Sequence, residues 1–267
     1  MKTFIRWQGN KSKHLRKIEQ YLPKTFNTYY EPFVGSGALL LYLQPEKWVI
    51  NDKNVFLIIL WKLIKSDPEF LLQEIHKMQT SFDKLNKQQQ IVFCKEHLSH
   101  LTSHRNIKQK AIIFLFVMYQ TYMGILSTNN NYRFPGLNSK GLPASFNENI
   151  LKIHNFLKIK GKIYQKDYTY ILEMTQKDDF VFLDPPYHEA KNYEFFYNKD
   201  ESINYTFIER LKHNVQLLDK KKVKWMMTQA DTKEVREVFK DYNIHTYKVY
   251  RASSKQYKDE LVIRNYK

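Results

Sequence analysis

The stretch "FVFLDPPYHEA" runs from Phe180 to Ala190. Val181, Phe182 and Leu183 are apolar without alternation, the pattern of a strand buried on both faces in a parallel sheet. Pro185 and Pro186 have no backbone N–H and cannot continue a central strand. The strand is therefore expected to stop at Asp184. In open α/β sheets the carboxyl ends of the strands are the edge where ligands bind. An acid, a stiff turn and the aromatic ring of Tyr187 are expected there together.

Working outward, the pattern repeats on both sides. "TYYEPF" (Thr28–Phe33) is rich in β-formers, and "GSGALLLYL" (Gly35–Leu43) turns into a helix. "KWVIND" (Lys47–Asp52) reads as a second strand, followed by a helical "NVFLIILWKLIKSD" (Asn54–Asp67). After the "DFVFLD" strand come a helix near "YTFIERLKHNVQLLDKK" (Tyr205–Lys221) and a strand "VKWMMTQ" (Val223–Gln229). Strands alternating with helices imply an α/β fold with a parallel sheet. "IHTYKVYRA" (Ile244–Ala252) and "DELVIRNY" (Asp259–Tyr266) predict a closing antiparallel pair.

Between these halves lies a mostly helical stretch from about Ser66 to Lys160, rich in Lys, His, Gln and Asn. It ends in "NNNYRFPGLNSKGLPASFN" (Asn129–Asn147), which is full of turn formers. This region predicts an inserted helical subdomain with a β-hairpin whose tip is near Asn138–Gly141.

The charge balance is 43 basic against 27 acidic residues, a formal net charge of +16. A genome biased towards Lys and Asn would produce some of that excess, but a polyanionic partner explains it better. Cys94 is the single cysteine, which excludes an intrachain disulfide and a thiolate metal cluster. A reduced, intracellular setting is expected, with no leader and no membrane. The longest apolar run, Ala111–Tyr119, is too short to cross a bilayer and reads as a buried helix.

Gly35 and Gly37 stand between a strand and a helix, where bare backbone can approach a ligand. Asp52 follows at the spacing of an acid that meets ribose hydroxyls. "GSG" is not the G-x-G-x-x-G pattern, however. By itself the turn serves equally as a tight strand-to-helix connection with Asp52 as a helix cap.

"EPFVGSG", "ND" and "DPPY" occur in one chain in that order. With them the sequence resembles the Dam-type DNA adenine-N6 methyltransferases of the alpha group over nearly its whole length. "RWQGNKSKHL" (Arg6–Leu15) is similar to the family's opening motif, "EPFVGSGALL" to its methionine-binding motif, and "DELVIRNY" to its closing strand. Two departures stand out. The family's Ser-Asn after the next strand is here Thr228 and Gln229, and the hairpin differs from the GATC-reading pattern.

The resemblance implies a Rossmann-like methyltransferase sheet, mostly parallel with an antiparallel closing strand. Residues 1–65 and 161–267 would form the catalytic domain and 66–160 an inserted target-recognition subdomain. It implies methyl transfer from S-adenosylmethionine to the N6 amine of an adenine flipped out of duplex DNA, with S-adenosylhomocysteine as product and no metal. Asp184 and the Pro185 carbonyl would accept from the amine, Pro186 would stiffen the turn, and Tyr187 would stack on the base. Trp7 and Lys11 would flank the methionine end of the cofactor. Phe33, Gly35, Ser36 and Gly37 would line it, with Gly9, Glu31 and Pro32 beside them. Asp52 would hold the ribose, Asp167 the cofactor adenine, and Asp184 would face the cofactor as well.

Among residues for DNA, Arg133, Asn138, Ser139 and Lys140 flank or form the hairpin tip, and Arg251 matches a DNA-facing basic position. The loop from His188 to Asn198 is expected to order on DNA. A monomer is expected, in the cytoplasm of a bacterium or of a virus's host, with a restriction endonuclease acting separately where one is paired. Three rival readings are a nicotinamide-dependent oxidoreductase, an inactive DNA-binding relative, and an RNA adenine-N6 methyltransferase.

Overall fold

A computed structural model describes residues 1–103, 106–121, 136–138, 141–187, 205–251 and 256–267. The chain divides into two compact units, residues 1–10, 35–44 and 54–163 in the first and 11–34, 45–53 and 164–267 in the second.

A short helix, α1 (Leu15–Ile18), precedes the sheet in the second unit. β1 (Tyr29–Glu31) and β2 (Trp48–Asn51) pair in parallel, with Tyr30 opposite Val49. β4 (Phe180–Leu183) lies parallel to β1 on its other side, and β5 (Lys224–Ala230) parallel to β4. β6 (Asn243–Arg251) and β7 (Gln256–Arg264) close the sheet as an antiparallel pair, with β7 against β5. With β3 (Gly161–Tyr164), where the chain passes from the first unit to the second, the order is β3-β2-β1-β4-β5-β7-β6. The chain moves outward from β1 in one direction, then resumes at β4 in the other. The carboxyl ends of β1 and β4 thus flank a topological switch point, the place where such sheets open a crevice.

Every residue of β4 is buried, as its uninterrupted apolar run requires. Val181 and Leu183 join Tyr30, Trp225 and Met227 in one core cluster. α9 (Tyr205–Lys220) adds Ile208, Leu211, Val215 and Leu218 to it, a spacing of three and four that keeps one helix face apolar. Two shorter helices, α8 (Tyr168–Glu173) and α10 (Lys233–Val238), complete this unit.

The first unit is helical: α2 (Ala38–Leu43), α3 (Val55–Ser66), α4 (Pro68–Asp83), α5 (Lys87–Ser103), α6 (Ile107–Gln120) and α7 (Phe146–Leu157). The Asn54 side chain accepts from Leu57 N–H and starts α3, and the Asp67 side chain accepts from Phe70 N–H and starts α4. α6 is buried on all sides from Ala111 to Gln120, as its apolar run predicts. The Arg6 guanidinium donates to the carbonyls of Tyr119 and Gly141 at 3.1 and 3.2 Å, tying the end of α6 to the chain beyond it.

Thr121 and Leu137 form an antiparallel bridge, and Asn138 N–H donates to the Gln120 carbonyl at 2.7 Å. The Asn138 amide donates to the Tyr119 carbonyl at 3.1 Å, which holds it against the end of α6.

Candidate active site

Asp184 is the first residue beyond β4, and the two prolines after it keep the turn stiff. Its carboxylate is one-fifth exposed and is gripped from two sides. The Lys11 ammonium lies 2.7 Å from Oδ1 and 2.9 Å from Oδ2. The Thr228 hydroxyl, on β5, donates to Oδ1 at 2.6 Å. An ionised carboxylate offers about four acceptor positions. Among the described residues these contacts take both positions on Oδ1 and one on Oδ2, so one on Oδ2 is left for an incoming donor. Burial pushes the Asp184 carboxyl above the ordinary carboxylate range; Lys11 and Thr228 oppose that push, and nearby Glu260 adds to it.

Thr228 and Gln229, the departures from the familiar Ser-Asn, are fully buried. Thr supplies the same hydroxyl as Ser. Gln229 donates from Nε2 to the Pro186 carbonyl at 3.4 Å and accepts at Oε1 from Ala230 N–H at 2.9 Å. The second proline of the turn is thereby fastened to the end of β5.

Tyr187 is buried, and its hydroxyl donates to Glu260 Oε2 at 2.7 Å. The same oxygen accepts from the Tyr247 hydroxyl at 2.8 Å. The Lys11 ammonium lies 4.8 Å from the centre of the Tyr187 ring, a cation–π contact. Burial, with Tyr247, Asp184 and Glu260 nearby, holds the Tyr187 phenol far above its ordinary range, so it stays protonated and donates. Lys11 was expected at the methionine end of the cofactor; in this structure it joins Asp184 to Tyr187.

At the ends of β1 and β2 the buried Asn51 acts as a bracket. Its Nδ2 donates to the carbonyls of Pro32 and Lys166, each at 3.0 Å, and its Oδ1 accepts from Lys166 N–H at 2.8 Å. Val34 N–H donates to the Asn51 carbonyl at 2.8 Å. The adjoining Asp52 is 1% exposed, at the strand end where a ribose acid was expected. Glu31 is buried and accepts from the Tyr29 hydroxyl at 2.8 Å. Phe33 packs on Tyr168, ring centres 5.1 Å apart.

Asp167 caps α8, accepting from Thr169 N–H at 3.0 Å and from its hydroxyl at 2.6 Å, and pairs with Arg210 at 3.0 Å. Partial burial works to raise its carboxyl, but the Thr169 hydrogen bonds with Arg210 and Lys53 outweigh it and leave it below the ordinary range.

In the first unit, Trp7 and the glycine turn meet. Gly35 has φ +46, and a Cβ there would lie 2.9 Å from Trp7 Cδ1 and Nε1. Only a residue without a side chain admits both the left-handed backbone and the indole. The Trp61 indole N–H donates to the Gly35 carbonyl at 3.1 Å, so two tryptophans hold one glycine. Gly9 and Gly37 also have positive φ, 79 and 66, and Ser36 is buried. Gly37 leads directly into α2.

Of the residues expected at DNA, Arg133, Ser139 and Lys140 lie outside the described residues, as do His188–Asn198. Arg251 is the last residue of β6, and its side chain lies outside them too.

Sequence reading missed Asn51, Trp61, Tyr247 and Glu260. Only the quoted "ND" and "DELVIRNY" carried any signal, a buried-strand acid and a strand-end amide. Nothing in the chain order joins Glu260 to Tyr187, 73 residues earlier.

Residues 7–253 match the family described as D12 class N6 adenine-specific DNA methyltransferase. A Type II methyltransferase of Lactococcus lactis subsp. cremoris, M1.LlaDCHI, is 27% identical over 282 residues, covering 100% of this chain and 96% of its own. A Type II methyltransferase of Methanocaldococcus jannaschii, M.MjaIII, is 29% identical over 252 residues, covering 86% of this chain and 84% of its own. A DNA adenine methylase of Haemophilus influenzae is 21% identical over 257 residues, covering 95% and 88%. Among the described residues no helix is long and apolar enough to cross a membrane. The family match includes both the glycine turn and the DPPY turn with its acid, and the chain belongs to the D12 class of N6 adenine-specific DNA methyltransferases, enzymes that use S-adenosylmethionine.

Proposed function

We propose that this methyltransferase acts on an adenine extruded from duplex DNA and receives its N6 amine on Asp184 and the Pro185 carbonyl. The observation that carries this is the Asp184 carboxylate, anchored by Lys11 and Thr228 with, among the described residues, an acceptor position left on Oδ2. The N6 lone pair is delocalised into the purine ring, which makes the amine a poor nucleophile. Two rigid acceptors favour the amine geometry in which that lone pair points out of the ring plane. Such placement is positional and electrostatic catalysis with no covalent intermediate on the protein. Lys11 and Thr228 work against the burial of Asp184 and favour the ionised form, the one that accepts. Extrusion costs a few kcal/mol, and stacking on Tyr187 offsets about 1–3 kcal/mol of that.

S-adenosylmethionine supplies an electrophilic methyl on a sulfonium. The residues present suit it. Asp52 is a buried acceptor at a strand end for ribose hydroxyls, and Gly35 and Gly37 carry the left-handed backbone of a tight turn that leads into a helix. Trp7, Gly9, Lys11, Glu31, Pro32, Phe33, Ser36 and Asp167 are assigned to the same cofactor. Residues 66–160 are assigned to target recognition, with Arg133, Asn138, Ser139, Lys140 and Arg251 at DNA. The chain acts as a monomer in the cytoplasm, with a restriction endonuclease, where one exists, as a separate protein.

The test is transfer of labelled methyl from S-adenosylmethionine to duplex DNA, followed by nucleoside analysis. N6-methyl-2′-deoxyadenosine from the wild-type chain and none from Asp184→Ala supports the reading. Label on RNA in preference to DNA, label on cytosine, or full turnover by Asp184→Ala overturns it.

A further inference from the structure

Glu260 lies in the sheet and not at its rim. It stands opposite Tyr247 on β6 and opposite Ala230 on β5, so three strands fix its position. It is 5% exposed. A carboxylate at that depth is stable only when donors satisfy it. Two of those donors are phenols, Tyr187 at 2.7 Å and Tyr247 at 2.8 Å, both on Oε2. Charge-assisted hydrogen bonds of this length are strong and directional.

The three partners differ in how firmly the chain holds them. Tyr247 and Glu260 are a direct cross-strand pair. Tyr187 belongs to the turn beyond β4, outside the strand ladder. A tyrosine side chain swings about its Cα–Cβ bond unless its far end is tied. Here the hydroxyl end is tied to the sheet, and the Lys11 ammonium bears on the ring at 4.8 Å. The place of the ring is thus set by the sheet through one carboxylate oxygen.

We propose that Glu260 is a positioning residue for methyl transfer: it fixes the Tyr187 ring, through the shared hydrogen bonds with Tyr187 and Tyr247, at the orientation on which the target adenine stacks. The assignment deepens the functional reading above and rests on Tyr187 meeting the base. Glu260 need not touch DNA, cofactor or the reacting atoms. Its effect is to remove ring motion that would otherwise have to be frozen when the base arrives.

The test uses the full chain, a duplex whose methylated adenine has been mapped with the wild-type protein, and the same duplex carrying 2-aminopurine at that position. Tyr187→Phe keeps the ring and removes the hydroxyl; Glu260→Gln keeps the side chain's size and removes its charge. Each is expected to lower kcat by about tenfold or more, as loss of orientation does, with the KM for S-adenosylmethionine changed by no more than about twofold. The double variant should be no slower than the worse single variant. 2-Aminopurine, quenched when stacked in the wild-type complex, should be brighter in both variants. A role in folding alone would leave that brightness unmoved.

Unchanged kcat in Tyr187→Phe, effects that multiply in the double variant, or wild-type quenching in both variants overturns the assignment. Should Glu260→Gln fail to fold, Tyr187→Phe with Tyr247→Phe decides it, because both leave the carboxylate in place. A wild-type chain that methylates no adenine overturns the functional reading and this assignment with it. An active wild type matched by its variants overturns this assignment alone.

Discussion

Asp184 is a carboxyl whose charge is contested: burial and Glu260 favour the neutral form, and Lys11 and Thr228 favour the ion. The ion is the form that accepts two-sidedly, so activity should fall as pH drops through its folded-state value. That value is raised, so the acid limb of kcat/KM should lie above the ordinary 3.8 of an aspartate. Glu260→Gln deletes a neighbouring negative charge. It should therefore move the limb to lower pH, even while lowering the plateau, and a limb that moves up or stays put would contradict this charge balance. Gly35 makes a second residue-scale case. Alanine there meets both a left-handed backbone, at about 1–2 kcal/mol, and the Trp7 indole 2.9 Å from its Cβ. Gly35→Ala should lose about 2 kcal/mol or more in urea unfolding. Adding Trp7→Ala should recover part of the loss, since it frees the contact but not the φ; equal losses in both backgrounds would show that Trp7 is not the obstacle.

Elements carry these residues to their places. β5 delivers Thr228 to Asp184 because Leu183 pairs in register with Met227, one residue short of each. Thr228→Ser keeps the hydroxyl and should keep most of the turnover. Thr228→Val keeps the shape, leaves Oδ1 with Lys11 alone, and should slow turnover by about tenfold. Equal rates for the two would remove the hydroxyl from the mechanism. On the helical side, α3 begins at the Asn54 cap. Asn54→Ala should cost about 1 kcal/mol, read as a fall of about 2–4 °C in the melting midpoint. Long, strongly patterned elements of this kind were legible from residues alone: the apolar run of β4, the face of α9, the all-round burial of α6. β3 was not, because its four residues are only half buried and show no clean alternation.

At the scale of the whole molecule the excess of positive charge should govern how duplex DNA is held. Phosphate contacts release counterions, so affinity should drop by about a thousandfold or more between 50 and 200 mM salt. Asp184→Ala, which leaves the 43 basic residues in place, should keep that affinity and that slope while losing turnover. A salt-independent affinity would mean that the net charge of +16 reflects composition and not a polyanion site.

The residues alone were enough to place an α/β sheet, a stop at Asp184, and a glycine turn before a helix, because each is a local matter of hydrophobic period, missing N–H groups and absent Cβ atoms. Folding decided the partners. Lys11 on Asp184, Trp7 and Trp61 on Gly35, Asn51 across two loops, and Glu260 between two phenols all join residues far apart in the chain. Their contacts follow from strand order and register, and no local pattern encodes which distant donor a buried acceptor will meet.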